Sequence, residues 1–226
     1  MFRGVVFDLD GVIVDSHPLH KRAWRAFLAS VGKDVDESDL DFILEGRRRR
    51  DILTHFLGEL SDAEVEDYGN RKDKIFWEAC ADLEPVAGSP AFIRDLNMAG
   101  FPLAVATSAS RQRTQWTLRQ LNLAQCFDVV VTGNDVAQSK PDPAIYLLAA
   151  QRLAAPPESL VAVEDSVCGV RSAKSAGLRC FGMAFIDNVD PLLSAGADRV
   201  FTSFNGLGLR DFEEIFPAPP DAAPND

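Results

Sequence analysis

Residues 2–7 form a short apolar run that breaks off in acids. Similar runs recur at 102–106 (PLAVA), 128–131 (DVVV), 160–163 (LVAV), 178–183 and 197–201. A continuous apolar run is what a parallel strand covered on both faces requires. Between most of these runs lie segments with helical apolar spacing, at 90–99, 112–121, 143–152 and 167–176. The alternation predicts an α/β fold, a doubly wound, Rossmann-like parallel sheet with helices on both faces. Right-handed crossovers then gather the C-terminal strand ends on one edge. Ligands of such open sheets bind at that edge, where the strand order reverses.

One stretch interrupts the alternation. From residue 18 to about 83 no strand pattern is present; HKRAWRAFLASVG, ESDLDFILEG, RRRRDILTHFLGEL and AEVEDYGNRKDKIFWEACADL all read as helix. This predicts a small all-helical insert at 16–85, with a core made of 1–15 and 86–216. The chain leaves the core through 15–18 and returns through the Pro- and Gly-containing segment 83–88. Such an insert is either a hinged lid over a site or a fixed subdomain. The tail 217–226, PAPPDAAPND, lacks residues that bury apolar surface and is expected to be disordered.

Composition narrows the partners. With 46% hydrophobic and 25% charged residues the chain is of ordinary globular type. A net charge of −11 argues against a nucleic-acid partner, which demands basic neutralisation of phosphates. No apolar run approaches the roughly 20 residues of a membrane helix, and no signal peptide is recognisable. Cys80, Cys126, Cys168 and Cys180 are scattered, without CxxC pairs, which points to a reduced cytoplasmic protein. A monomer or a dimer is expected.

The candidate chemistry falls at the strand ends. Asp8-Leu9-Asp10-Gly11 follows the first strand directly. Alternate residues of an extended segment share a face, so Asp8 and Asp10 can converge. Neighbouring carboxylates repel unless a cation or proton lies between them, an arrangement suited to a hard divalent cation and acid–base work. A calcium loop is excluded because Gly11 comes too early and Leu19 stands where the closing Glu is needed. PLAVA runs into Thr107-Ser108-Ala109-Ser110, where a hydroxyl and backbone N–H groups can hold phosphate oxygens; a helix cap is the other role for these residues. Ser139-Lys140-Pro141-Asp142-Pro143 fixes Lys140 at a helix start, as a point charge for phosphate. LVAV runs into Glu164-Asp165-Ser166, a second acidic pair that is either an N-cap or, with Asp8 and Asp10, a source of oxygens for Mg²⁺.

FDLDGV, AVATS, the SKPDP lysine and VEDS, in this order, resemble the four motifs of the haloacid dehalogenase superfamily, and the insert resembles its small helical cap. The most similar subgroup holds β-phosphoglucomutase and the sugar-phosphate and phosphoglycolate phosphatases. The resemblance implies that Asp8 is the nucleophile and Asp10 the acid–base. It makes Thr107, or Ser108 if the strand slips by one residue, the phosphoryl-binding hydroxyl, and Lys140 its counter-charge. It implies that Mg²⁺ is held by Asp8, the Asp10 carbonyl and Asp165, with Glu164 in support. The second aspartate argues against the dehalogenase and phosphonate-cleaving branches. In the insert, His20, Trp24, Arg49 and Lys72 match cap positions that contact substrate; in the other reading His20 faces solvent or a linker, Trp24 is core, and most of the arginines at 47–50 are solvated. The expected activity is Mg-dependent hydrolysis of a small phosphate monoester, a sugar phosphate, through a phospho-aspartate. The alternatives are a phosphosugar mutase and a non-catalytic phospholigand-binding protein.

Overall fold

A computed structural model describes residues 2–44, 47–79, 83–185 and 188–216. The tail 217–226 and Cys80 lie outside the described residues. The central sheet contains β1 (Gly4–Phe7), β4 (Leu103–Thr107), β5 (Val129–Thr132), β6 (Leu160–Glu164), β7 (Arg179–Met183) and β8 (Arg199–Phe201). All pairs are parallel, in the order β5-β4-β1-β6-β7-β8. The chain steps outward from β1 through β4 to β5, then jumps back across β1 to β6. The order therefore reverses beside β1, and Phe7 pairs there with both Val105 and Val163.

Alternate strand residues feed two cores. Val5, Phe7, Val105, Val163 and Phe181 pack with α5 (Ser89–Met98), α6 (Arg111–Gln120) and α10 (Leu209–Glu213). Val6, Ala104, Ala106, Ala162 and Cys180 pack with α7 (Ala144–Arg152), α8 (Val167–Ser175) and α9 (Val189–Ser194) on the other face. Small alanines in the second set let α7 and α8 approach the sheet closely. Burial of both faces explains why these strands carry no polar alternation. The short helices α9 and α10 had no sequence signal strong enough to predict them.

The insert is helical as expected: α1 (His17–Ser30), α2 (Glu37–Leu44), α3 (Arg49–Leu57) and α4 (Asp62–Glu78). These helices enclose their own core of Trp24, Phe27, Leu28, Leu40, Ile43, Ile52 and Leu53. Ser61 starts α4 through a capping box with Glu64. Two details differ from the sequence reading. Helix α1 begins at His17, with Pro18 in its first turn, where a missing N–H costs nothing. The two connections also pair with each other, as β2 (Val14–Asp15) antiparallel to β3 (Glu84–Pro85). Among the described residues no helix is long and apolar enough to cross a membrane.

Candidate active site

Three strand ends meet at the reversal point, and each delivers one group. Asp8 follows β1, Thr107 ends β4 and Glu164 ends β6, with Asp165 next in line. Lys140 rises from the segment before α7 into the same place. Its Nζ donates to Asp8 Oδ1 at 2.7 Å, to Glu164 Oε1 at 2.5 Å and to the Ala106 carbonyl at 3.1 Å. The lysine is 3% exposed and stays charged, because Asp8 and Glu164 outweigh the burial that would lower its pKa. Burial pushes the Asp8 and Asp165 carboxyls up, Lys140 opposing for Asp8 and His17 for Asp165.

Glu164 is fully engaged. Oε1 accepts from Lys140 and Tyr146, while Oε2 accepts from the Asp165 and Ser166 backbone N–H groups and the Ser166 hydroxyl. It holds the lysine and the following turn in place. Ser166 also caps α8 through the Gly169 N–H, so the cap reading and the site reading of VEDS are both realised. One oxygen each of Asp8, Glu164 and Asp165 lies within 4.8 Å of the others, all buried. Three hard oxygen donors this close, with Lys140 and His17 as their cationic partners, fit a divalent cation. Gly11 makes room for them: its φ is +72°, and a Cβ there would overlap the Asp165 carboxylate.

Asp10 is held by a different set of partners. Arg113 grips its two oxygens at 2.7 and 2.6 Å, Ser16 donates at 2.5 Å, and His20 Nε2 lies at 3.4 Å. Burial alone would raise this carboxyl, but the Arg113 guanidinium holds it well below the usual carboxylate range. His20 is buried against Phe76, with ring centroids 4.6 Å apart, and its Nδ1 lies 3.1 Å from Lys72 Nζ. Burial and the neighbouring Lys72 and Arg113 charges push its pKa down to about 3, so the imidazole is neutral. Lys72 is itself lowered to about 8, by burial first and then by Arg113 and Arg49, against the pull of Asp73.

A cavity of about 90 Å³ between insert and core is lined by Asp8, Asp10, Thr107, Ser108, Asp165 and Arg113, and from the insert by His17, His20, Trp24, Arg49 and Lys72. Lys140 and Glu164 lie beneath its floor. The predicted residues thus converge, and the alternatives resolve in part. His20 is buried rather than solvated. Trp24 belongs to the insert's core and also borders the cavity. Thr107 Oγ1 accepts from the Ala109 N–H, Ser108 lines the same wall, and the cap of α6 is Ser110. The four arginines diverge: Arg47 lies over the Phe42 ring, Arg48 bonds the Val136 and Ala137 carbonyls across in the core, Arg49 pairs with Asp73, and Arg50 with Asp62.

Sequence reasoning missed two residues here, His17 and Arg113. His17 Nε2 lies 3.0 Å from Asp165 Oδ2 and is pushed up to about 9, the Asp165 charge overcoming the effect of burial. The helix start at Ser16–His17 was the available signal, because it turns the residue back toward the acids. Arg113 stands three residues past the Ser110 cap, a position facing the strand end.

A carboxylate held by an ammonium group and set beside other carboxylates is what attack on a phosphate ester needs. With the capped α/β architecture it defines an enzyme acting on phosphate esters. The family model of haloacid dehalogenase-like hydrolases matches residues 2–177, and the chain belongs to that family. It is 38% identical over 202 residues to a phosphorylated carbohydrates phosphatase of Thermotoga maritima, covering 85% of this chain and 91% of the relative. It is 29% identical over 219 residues to the beta-phosphoglucomutase of Bacillus subtilis, covering 94% of each. The crystal structure of CbbY from Rhodobacter sphaeroides in complex with phosphate superposes with a TM-score of 0.81 at 32% identity, covering 92% of this chain and 97% of that one.

Proposed function

We propose that the chain is a magnesium-dependent phosphatase that hydrolyses a small sugar phosphate through a phospho-aspartate on Asp8. The observation that carries this is the Asp8 carboxylate, presented at the cavity floor with one oxygen fixed by Lys140 at 2.7 Å. That bond leaves the other oxygen free to be aimed at phosphorus. Thr107 and Ser108, at the end of β4, receive the transferring phosphate with backbone N–H groups nearby. Lys140 offsets its charge from below, and Asp10 handles the proton of the leaving oxygen and later that of the attacking water. Bound at Asp8, Asp165 and the Asp10 carbonyl, with Glu164 in support, Mg²⁺ would screen the nucleophile from the dianionic substrate. The helical insert, 16–85, supplies His20, Trp24, Arg49 and Lys72 and selects the leaving group. The buried thiols of Cys126 and Cys180 support a reducing, cytoplasmic setting.

The test is phosphate release from a panel of sugar phosphates by the wild type with Mg²⁺, with EDTA, and by Asp8→Asn. We expect turnover only in the first. Full-rate hydrolysis by folded Asp8→Asn, or in EDTA, refutes the reading. Enclosure of the cavity by the insert favours one second reading, a mutase in which a sugar hydroxyl replaces water. Conversion of β-glucose 1-phosphate to glucose 6-phosphate without phosphate release would establish it.

A further inference from the structure

The chemistry proposed for the site leaves one buried polar group without a task, the hydroxyl of Tyr146. This side chain sits in α7, the helix that follows Lys140, and is fully buried. Its ring belongs to the apolar core of Val6, Ala106, Val131 and Ala162. Its hydroxyl donates to Glu164 Oε1 at 2.7 Å, and its ring centroid lies 5.2 Å from Lys140 Nζ. One side chain thus meets both members of the ion pair beneath the cavity floor.

Two inventories of hydrogen bonds decide what this contact can do. A carboxylate has about four lone-pair directions. Glu164 receives two donors on Oε1, Lys140 and Tyr146. It receives three on Oε2, the Asp165 and Ser166 N–H groups and the Ser166 hydroxyl. Gly169 packs so near that a Cβ there would overlap the Glu164 carboxylate. Glu164 is therefore a fixed anchor. Lys140 carries three N–H bonds, and all three are engaged, on Asp8, Glu164 and the Ala106 carbonyl. Asp8 lines the cavity, whereas Lys140 and Glu164 lie below it. To meet a phosphate in the cavity the ammonium must advance toward Asp8, and the bond this stretches is the one to Glu164. A buried carboxylate stripped of its donors would hold its cation back. Glu164 is not stripped, because the Tyr146 hydroxyl stays on Oε1 and Oε2 keeps its own three.

We propose that Tyr146 is a positioning residue for Lys140: by sharing Glu164 with the ammonium, it lets Lys140 turn from Glu164 to the transferring phosphate. This rests on the phosphatase reading, in which Lys140 meets that phosphate. Tyr146 acts through Glu164 and Lys140. If its hydroxyl only satisfied a buried oxygen, losing it would lower stability and leave phosphate binding unchanged.

The experiment compares wild type, Tyr146→Phe, Glu164→Gln and the double variant, all with Mg²⁺. Tyr146→Phe keeps the ring and removes only the hydroxyl. Calorimetric titration with inorganic phosphate reads how firmly Lys140 is held back. Tyr146→Phe should bind phosphate about tenfold more weakly, the strength of one hydrogen bond to a charged group. Its kcat/KM should fall by a similar factor on glucose 6-phosphate and on p-nitrophenyl phosphate, since Lys140 meets only the phosphate they share. In the Glu164→Gln background no carboxylate pulls on Lys140, so adding Tyr146→Phe should change phosphate affinity by less than about twofold. A lower Tm with unchanged phosphate affinity and kcat/KM overturns the proposal. So does a loss confined to one of the two substrates, or a tenfold loss that persists beside Glu164→Gln. If Glu164→Gln does not fold, phosphate affinity and the two-substrate comparison in Tyr146→Phe still decide. A wild type that releases no phosphate from any substrate, yet binds inorganic phosphate in a Tyr146-dependent way, refutes the phosphatase reading alone. Phosphate affinity unchanged by Tyr146→Phe refutes the role of Tyr146.

Discussion

Lys140→Met should cost more stability than any substitution confined to the sheet surface. The side chain is 1% exposed and its ammonium is shared between Asp8 and Glu164, whose carboxylates are 9% and 0% exposed. Removing it leaves two buried carboxylates facing each other beside Asp165, and the Ala106 carbonyl loses a donor. Breaking a buried ion pair from one side costs about 3–5 kcal/mol. For a chain of this length that is a fall in Tm of roughly 6–20 °C. The pH dependence has a definite sign. Without Lys140 the folded-state pKa of Asp8, already raised by burial, rises further. An acid whose folded pKa lies above its unfolded value destabilises the fold at high pH and ceases to do so as pH falls and it protonates. The penalty should therefore be largest near pH 8 and shrink toward pH 5. The assay is urea unfolding followed by circular dichroism in EDTA at both pH values. Adding Glu164→Gln should recover part of the loss, because the two sites are coupled. A penalty under about 1 kcal/mol at pH 8, or one that grows on acidification, would refute this account of the charge network.

Two further outcomes follow from neighbouring residues. Gly11→Ala forces a side chain into a positive-φ position and onto Asp165, so it should cost more than about 1 kcal/mol and raise the Mg²⁺ concentration for half-maximal activity at least tenfold; unchanged Mg²⁺ dependence would remove Asp165 from the metal site. His17, raised from 6.5 to about 9, contributes stability that is fully present below pH 6.5 and is lost between 6.5 and 9. In metal-free protein this amounts to at most about 3 kcal/mol, and His17→Gln should flatten the Tm–pH curve over that window; parallel curves for the two proteins would show that the His17–Asp165 pair contributes nothing.

The sheet and its candidate site edge were legible because doubly covered strands write themselves as apolar runs, and three of those runs lead into site residues: Asp8, Thr107, Glu164. What stayed hidden has physical reasons. The β2–β3 pair contributes two residues per strand, too few for a period to register. The arginines at 47–50 carry no sequence mark of their different destinations, because helix geometry, not composition, sends Arg49 to Asp73 and Arg48 across to the core. Arg113 lies in RQRTQWTLRQ, a polar helix with three arginines, and only its distance from the Ser110 cap selects it.

The balance of charge at the site constrains how a substrate can enter. Among the described residues, around the cavity and directly under it, stand six cationic side chains, Arg47, Arg49, Lys72, Arg113, Lys140 and a protonated His17, against five carboxylates, Asp8, Asp10, Asp73, Glu164 and Asp165. The ensemble is within one charge of neutral, and most of its members are paired with one another. A phosphate dianion alone would drive it negative in a low-dielectric cleft, where uncompensated charge is expensive. Entry together with a divalent cation keeps the balance. A second anionic group has no such escort and must be met by an existing cation that changes partner. Binding at this site is thus an exchange of ion pairs rather than an addition to them, and discrimination between substrates lies in which pairs each can replace.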